Sequence, residues 1–189
     1  MVVIILGVSG AGKTTLGKLL ARELGWAFYE ADDFHSPANV EKMHAGIPLT
    51  DEDRWPWLES LGELIKRCLA AGENAILACS TLKKAYRRHL RVNSEVKLVY
   101  LRGDFTLITD QLRHRHGHFM NPALLRSQFA DFEEPQPAEG VLRARELVRD
   151  GDAVSRSDRR GRRGQFSDPH DRWARILIRR RIDIFTGLL

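Results

Sequence analysis

Cysteine is scarce in this chain: its 189 residues include only Cys68 and Cys79. Two cysteines cannot form the disulfide framework of a small secreted domain; they fit reduced thiols and a cytoplasmic home. Long apolar runs are also missing. A hydrophobic fraction of 43% is enough for a core, but no stretch approaches the roughly 20 apolar residues that span a bilayer. No membrane role is therefore expected. The N-terminal apolar stretch runs straight into a glycine-rich loop and reads as a strand, not a signal peptide. Lysine is absent from residues 143–189, which hold 13 Arg against 7 acids, a net +6, whereas residues 1–142 hold 17 Lys and Arg against 18 acids, a net −1. The net charge of +5 thus belongs to the tail. The body lacks the basic footprint of a nucleic-acid binder, and nucleic acid is not expected as its partner.

What is present is concentrated in the first fifteen residues. Val2-Val3-Ile4-Ile5-Leu6 reads as a buried parallel strand. Gly7-Val8-Ser9-Gly10-Ala11-Gly12-Lys13-Thr14 follows, the G-x-x-x-x-G-K-T phosphate loop. Leu16, Leu19 and Leu20 then fall at helical spacing, so a helix starts near Lys13. Glycines let the backbone curl so that several N–H groups face one anion, and the helix N-terminus adds partial positive charge. Gly7, Ser9, Gly10, Ala11, Gly12, Lys13, Thr14 and Thr15 are the candidate nucleotide-binding residues. Lys13 should reach the β- and γ-phosphates and the Thr14 hydroxyl should ligate Mg²⁺.

Strands and helices alternate beyond this point. Strands are expected at Trp26–Glu30, Ala75–Cys79 and Val96–Leu101. Ser36-Pro37 and Thr50-Asp51-Glu52-Asp53 read as helix starts. Ser80-Thr81 should cap a basic helix over about 82–90, and Asn121-Pro122 should open a helix to about Phe132. The pattern predicts an α/β fold: a doubly wound, mostly parallel sheet with helices on both faces.

A phosphate loop alone names no reaction. The third strand ends in Ala78-Cys79-Ser80, without the Asp-Glu of motor and hydrolase families. No Asn-Lys-x-Asp guanine reader occurs, which argues against a GTPase switch. Asp32-Asp33 follows the second strand instead, where open α/β sheets keep their sites. A carboxylate there can hold a Mg²⁺-bound water or take the proton of an acceptor hydroxyl, which suits a kinase. Asp32 is the candidate metal-side carboxylate and Asp33 the acceptor-side one; a solvated cap pair is the bland alternative. The stretch Arg113-His114-Arg115-His116-Gly117-His118 reads as a lid whose Arg113 and Arg115 fold over the transferred phosphate. Metal binding by its histidines is disfavoured by the interleaved arginines, and a plain solvated loop is the other reading.

Several motifs carry a family resemblance. They are the phosphate loop through Thr15, Asp32-Asp33-Phe34-His35, the run Gly46-Ile47-Pro48-Leu49-Thr50-Asp51-Glu52-Asp53-Arg54-Trp55-Pro56-Trp57-Leu58, Leu82-Lys83 with Tyr86-Arg87, Gly117-His118-Phe119-Met120, Ser127-Gln128-Phe129 and Glu133-Glu134-Pro135. Over about residues 1–140 the chain resembles bacterial gluconokinases of the small phosphate-loop type. That resemblance implies ATP and Mg²⁺ as cofactors, phosphorylation of D-gluconate at its 6-hydroxyl, a fold akin to shikimate kinase, and a homodimer. Gluconate has a carboxylate and a row of hydroxyls. Arg54, Lys83 and Arg87 are available for the first, and Asp33, His35, His118 and Gln128 for the second. Arg54 could instead pair with Asp51 or Glu52, and Lys83 with Arg87 could be a solvated face.

The resemblance stops after Pro135. A kinase domain over 1–140 is expected, followed by an atypical Arg-rich tail over 141–189. Arg156 to Gly164 has no apolar residue, which is disordered composition. The family's last β-branched strand and closing helix are not recognisable, as if the tail were read from a shifted frame; the alternatives are a genuine lineage-specific tail that binds an acidic partner, and a nucleotide-binding protein whose tail engages nucleic acid. A four-stranded core with an unpaired edge is the structural expectation.

Overall fold

A computed structural model describes residues 1–103, 105–106, 108–109 and 122–144. It contains β1 (Val2–Leu6), α1 (Lys13–Leu24), β2 (Ala27–Glu30), a 3₁₀ turn (Ala31–Phe34), α2 (Pro37–His44) and α3 (Asp51–Ala70). These are followed by β3 (Ala75–Ala78), α4 (Lys84–Leu90), β4 (Val96–Leu101), α5 (Pro122–Asp131), a 3₁₀ turn (Pro137–Glu139) and β5 (Leu142–Ala144). The sheet order is β2-β3-β1-β4-β5 and every pairing is parallel. Ile4, central in β1, pairs with Leu77 on one side and Leu98 on the other. The winding reverses about β1, and the phosphate loop leaves the carboxyl end of that strand, where doubly wound sheets keep their ligands.

Side-chain alternation divides the core between two faces. Val2, Ile4 and Leu6 pack with Leu58, Leu61 and Ile65 of α3 and Leu90 of α4. On the other face α1 lies so close that a Cβ on Gly17 would come within 2.6 Å of the Phe28 ring and 3.5 Å of Ile76. Helices therefore cover both faces, as the strand–helix alternation predicts.

Local chemistry explains the helix starts. The Ser36 hydroxyl accepts from the Asn39 N–H with Pro37 at the first helical position. Thr50 and Asp53 form a reciprocal capping box at the head of α3. The start of α4 differs from expectation. Ser80-Thr81 does not cap it: Lys83 is the N-cap residue, without a side-chain cap. The exposed first N–H, on Lys84, donates instead to the Glu133 carboxylate at 2.6 Å. Thr81 is buried at φ 35°, a left-handed conformation that costs a β-branched residue energy.

The expected four-stranded core with an open edge is corrected. Val99, Tyr100 and Leu101 of β4 pair with Leu142, Arg143 and Ala144 of β5. A ladder needs backbone groups, not β-branched side chains, and anchors deliver this segment to the edge. The Glu139 carboxylate accepts from Arg87, and the backbone oxygens of Glu139 and Gly140 accept from Arg91. Arg143 is held by Glu134 and the Pro135 carbonyl. The Arg-rich stretch beyond Ala144 lies outside the described residues.

Candidate active site

The phosphate loop is shaped by its glycines. Gly7 sits at φ 144°, and a Cβ there would lie 2.5 Å from the Leu101 carbonyl oxygen. No other residue fits between β1 and the end of β4. Gly12, at φ 87°, is the N-cap of α1 without a side-chain cap, so the first amides of the helix keep no internal acceptor and can meet an anion. Lys13 is buried and its Nζ donates to the Val8 carbonyl at 3.0 Å. Burial pushes its pKa down, opposed by Asp32, Cys79 and Glu30. The Cys79 thiol is pushed up to about 12 by burial and stays neutral. Gly10 and Ala11 complete the loop, and Thr15 is exposed on the first turn of α1.

The Thr14 hydroxyl donates to Glu30 Oε2 at 2.7 Å. Glu30 is pushed up by burial and by the neighbouring Asp32 and Asp33, against the Thr14 bond and Lys13. A cation would relieve that crowding. Hydroxyl and carboxylate oxygens are the ligands Mg²⁺ takes, usually one or two from protein and the rest from phosphates and water. The residues present therefore fit Mg²⁺. Among the described residues no group of three or more His, Cys, Asp or Glu could hold a metal ion.

Asp32 and Asp33 stand exposed on the 3₁₀ turn Ala31–Phe34. The turn is fixed from below, where the buried Ala31 carbonyl accepts from Trp57 Nε1 at 2.7 Å. His35 stacks on the Trp57 ring, centroids 4.3 Å apart. Its Nδ1 is buried without a partner among the described residues. Burial pushes its pKa down and Arg54 adds to that, while Asp32 opposes it. A neutral imidazole with an unused ring nitrogen suits a hydroxyl partner.

Beyond it lies a cluster of two cations and two carboxylates. Arg54 Nη1 donates to Asp131 Oδ2 at 3.0 Å and to the Tyr86 hydroxyl at 3.4 Å. Lys83 Nζ bonds both oxygens of Asp51, at 2.7 and 2.9 Å, and the Tyr86 hydroxyl donates to Asp51 Oδ1. Lys83 and then Tyr86 hold the Asp51 carboxyl below its usual range. Helix α2 braces the cluster: Asn39 Nδ2 donates to the Asp53 carbonyl at 2.8 Å and Lys42 pairs with the Asp53 carboxylate at 2.7 Å.

Two residues assigned to the acceptor by the sequence have partners within the fold. Arg87 is buried in a forked ion pair with Glu139, at 2.8 and 3.0 Å, and also donates to the carbonyls of Thr81 and Leu82. Its donors are spent within the fold. Gln128 Oε1 accepts from the Ser9 N–H at 2.8 Å, on the phosphate loop. Arg113, Arg115 and His118 lie outside the described residues. Sequence reasoning missed Glu30, Asp51, Tyr86 and Asp131. Glu30 was legible, being the last residue of β2 and two before Asp32; Asp131 gave no signal, because its partner is 77 residues away.

The family model described as shikimate kinase matches residues 9–135. The chain is 46% identical over 160 residues to a probable gluconokinase of Rattus norvegicus, covering 75% of this chain and 86% of that protein. It is 45% identical over 141 residues to a gluconokinase of Gluconobacter oxydans (strain 621H), covering 74% and 79%. The crystal structure of a gluconokinase from Sinorhizobium meliloti 1021 superposes with a TM-score of 0.69 at 38% identity, covering 77% and 82%.

Proposed function

Because the chain belongs to the gluconokinase family, on the shikimate kinase fold, we propose that it moves the γ-phosphoryl group of ATP onto the 6-hydroxyl of D-gluconate, releasing ADP and 6-phospho-D-gluconate. The observation that carries this reading is the position of Asp32. It stands on the 3₁₀ turn that follows Glu30, whose carboxylate accepts from Thr14 of the phosphate loop at 2.7 Å, and three residues before His35, whose ring stacks on Trp57. That placement supports a carboxylate serving both donor and acceptor.

In this reading the loop amides of Gly10, Ala11, Gly12, Lys13 and Thr14 cradle the phosphates. Lys13 Nζ leaves the Val8 carbonyl and follows the migrating phosphoryl group. Thr14, with Asp32 and Glu30 behind it, would hold Mg²⁺, which would supply positive charge to the phosphates. Asp33, on the acceptor side, orients the hydroxyl and accepts its proton, with Asp32 on the metal side. His35 Nδ1, Asp51 and Asp131 meet the hydroxyls, and Arg54 with Lys83 meets the carboxylate. Arg113, Arg115 and His118 keep the roles the sequence gives them, the arginines on the transferred charge and His118 on the polyol. Arg87 and Gln128 drop out of the acceptor set. The homodimer belongs to the same proposal, and sedimentation of the purified chain tests it.

The test is gluconate-dependent ADP formation against a panel of sugar acids. Equal turnover of gluconate and shikimate would remove the assignment. Within it, Asp32→Asn is expected to lower kcat at least tenfold, about 1.4 kcal/mol of barrier, with the gluconate KM little changed. Asp33→Asn is expected to raise that KM as well. Should neither substitution cost tenfold, the reaction happens elsewhere in the chain.

A further inference from the structure

The phosphate loop is held by bonds of two kinds. Most are its own: the Ala11 N–H donates to the Val8 carbonyl at 3.3 Å, Lys13 Nζ shares that carbonyl, and the Gly7 N–H reaches the Ser80 carbonyl at 3.4 Å. One comes from far along the chain. Gln128, 119 residues away, places Oε1 2.8 Å from the Ser9 nitrogen. Among the described residues it is the only side chain outside the loop and α1 that bonds residues 7–12. Ser9 lies between Gly7 and Gly10, both at positive φ. Glycine-flanked backbone has the most conformations to lose on ordering, so a fixed external acceptor there narrows the loop before any ligand arrives.

Gln128 is itself rigidly presented. Its helix buries Leu125. Phe129 meets Phe105 edge-on at 5.1 Å, Phe132 lies 5.3 Å from Tyr100, and Asp131 is bonded to Arg54. The Glu133 N–H, just past the helix, donates to the Leu82 carbonyl at 2.9 Å. A side chain on such a support can hold the amide of a neighbouring loop to within tenths of an ångström, as second-layer partners of a site do.

We propose that Gln128 is a positioning residue for the phosphate loop: by accepting from Ser9 N–H it sets the loop in its anion-binding shape, and it acts on the nucleotide and not on the acceptor. The proposal rests on the kinase reading above, but the two fail separately. Absence of gluconate-dependent ADP formation in the unchanged protein removes that reading, whereas this one is judged on differences between variants.

Gln128→Met keeps the length of the side chain and removes the acceptor. In the full-length enzyme it is expected to raise the KM for ATP about threefold to tenfold, the loss of one hydrogen bond, and to leave the KM for gluconate within about twofold of its starting value. The Ser9 amide, followed by hydrogen exchange, is expected to exchange faster. Gln128→Glu retains an accepting oxygen and should keep the Ser9 amide protected even where its added charge weakens ATP, so the contact stays testable if the methionine variant folds poorly. A gluconate KM that rises while the ATP KM holds would return Gln128 to the acceptor. Unchanged constants, equal changes in both, or loss of Ser9 protection in Gln128→Glu would also overturn the proposal.

Discussion

Lys13→Ala is expected to abolish phosphoryl transfer without unfolding the protein. The ammonium is the one cation built into the described loop, and its removal leaves developing charge on the transferred group uncompensated. Loss of a single well-placed electrostatic contact in a dry site costs about 10²–10³-fold in kcat, and a full charge on phosphate belongs at or above the upper end. Stability should move the other way or not at all. Lys13 is buried, and desolvation pushes its pKa down although three neighbouring groups favour its charge. A cation that the fold pays to bury is a functional expense, so its removal relieves strain even as it leaves the Val8 carbonyl without a donor. The measurement is paired: steady-state turnover and thermal unfolding of the same preparation. Near-normal kcat would refute the role of Lys13. Lost activity together with a collapsed melting temperature would show that the lysine serves the fold.

How far the sequence foretold this site follows from how local each interaction is. The phosphate loop, the Ser36 cap, the Thr50–Asp53 capping box and the strand–helix alternation are written in neighbouring residues and appear where expected, whereas the Ser80-Thr81 cap does not form. Asp32 and Asp33 were legible because a strand end fixes their place. The assignment of Arg54, Lys83 and Arg87 rested on charge alone, and charge does not say which partner is nearest in space. Asp131 and Glu139 reach Arg54 and Arg87 across 77 and 52 residues, and no periodicity encodes such distances. The fifth strand was missed for a related reason. Leu142-Arg143-Ala144 carries no strand signal, yet the pairing is imposed by anchors on either side of Gly140. Glu133-Glu134-Pro135 was read as part of a family pattern and turns out to be structural joinery, with Glu133 capping α4 beside Lys83.

Arg87 gives the clearest separation of a structural cation from a functional one. Its side chain is 1% exposed and that of Glu139 9%, and the guanidinium fork matches the carboxylate at both oxygens. Removing one partner of a buried pair strands the other charge, at about 3–5 kcal/mol. Arg87→Met is therefore expected to lower unfolding free energy by that amount in urea titration, a large share of the roughly 5–15 kcal/mol a domain has. Arg87→Lys should recover little, because an ammonium cannot fork. Replacing both partners, Arg87→Met with Glu139→Met, should recover much of the loss, since no lone charge remains. The pH dependence has a definite sign. Arg87 holds the Glu139 carboxyl below its ordinary value of 4.5, so this contribution is present above that value and fades as pH falls through the lower folded value. The Arg87→Met variant should show less of that acid-side loss. An acceptor role predicts the opposite pattern: a raised gluconate KM with stability within about 1 kcal/mol of the unchanged protein, the range of an exposed pair. That result would move Arg87 back into the site and leave the anchoring of β5 to Arg91 and Arg143.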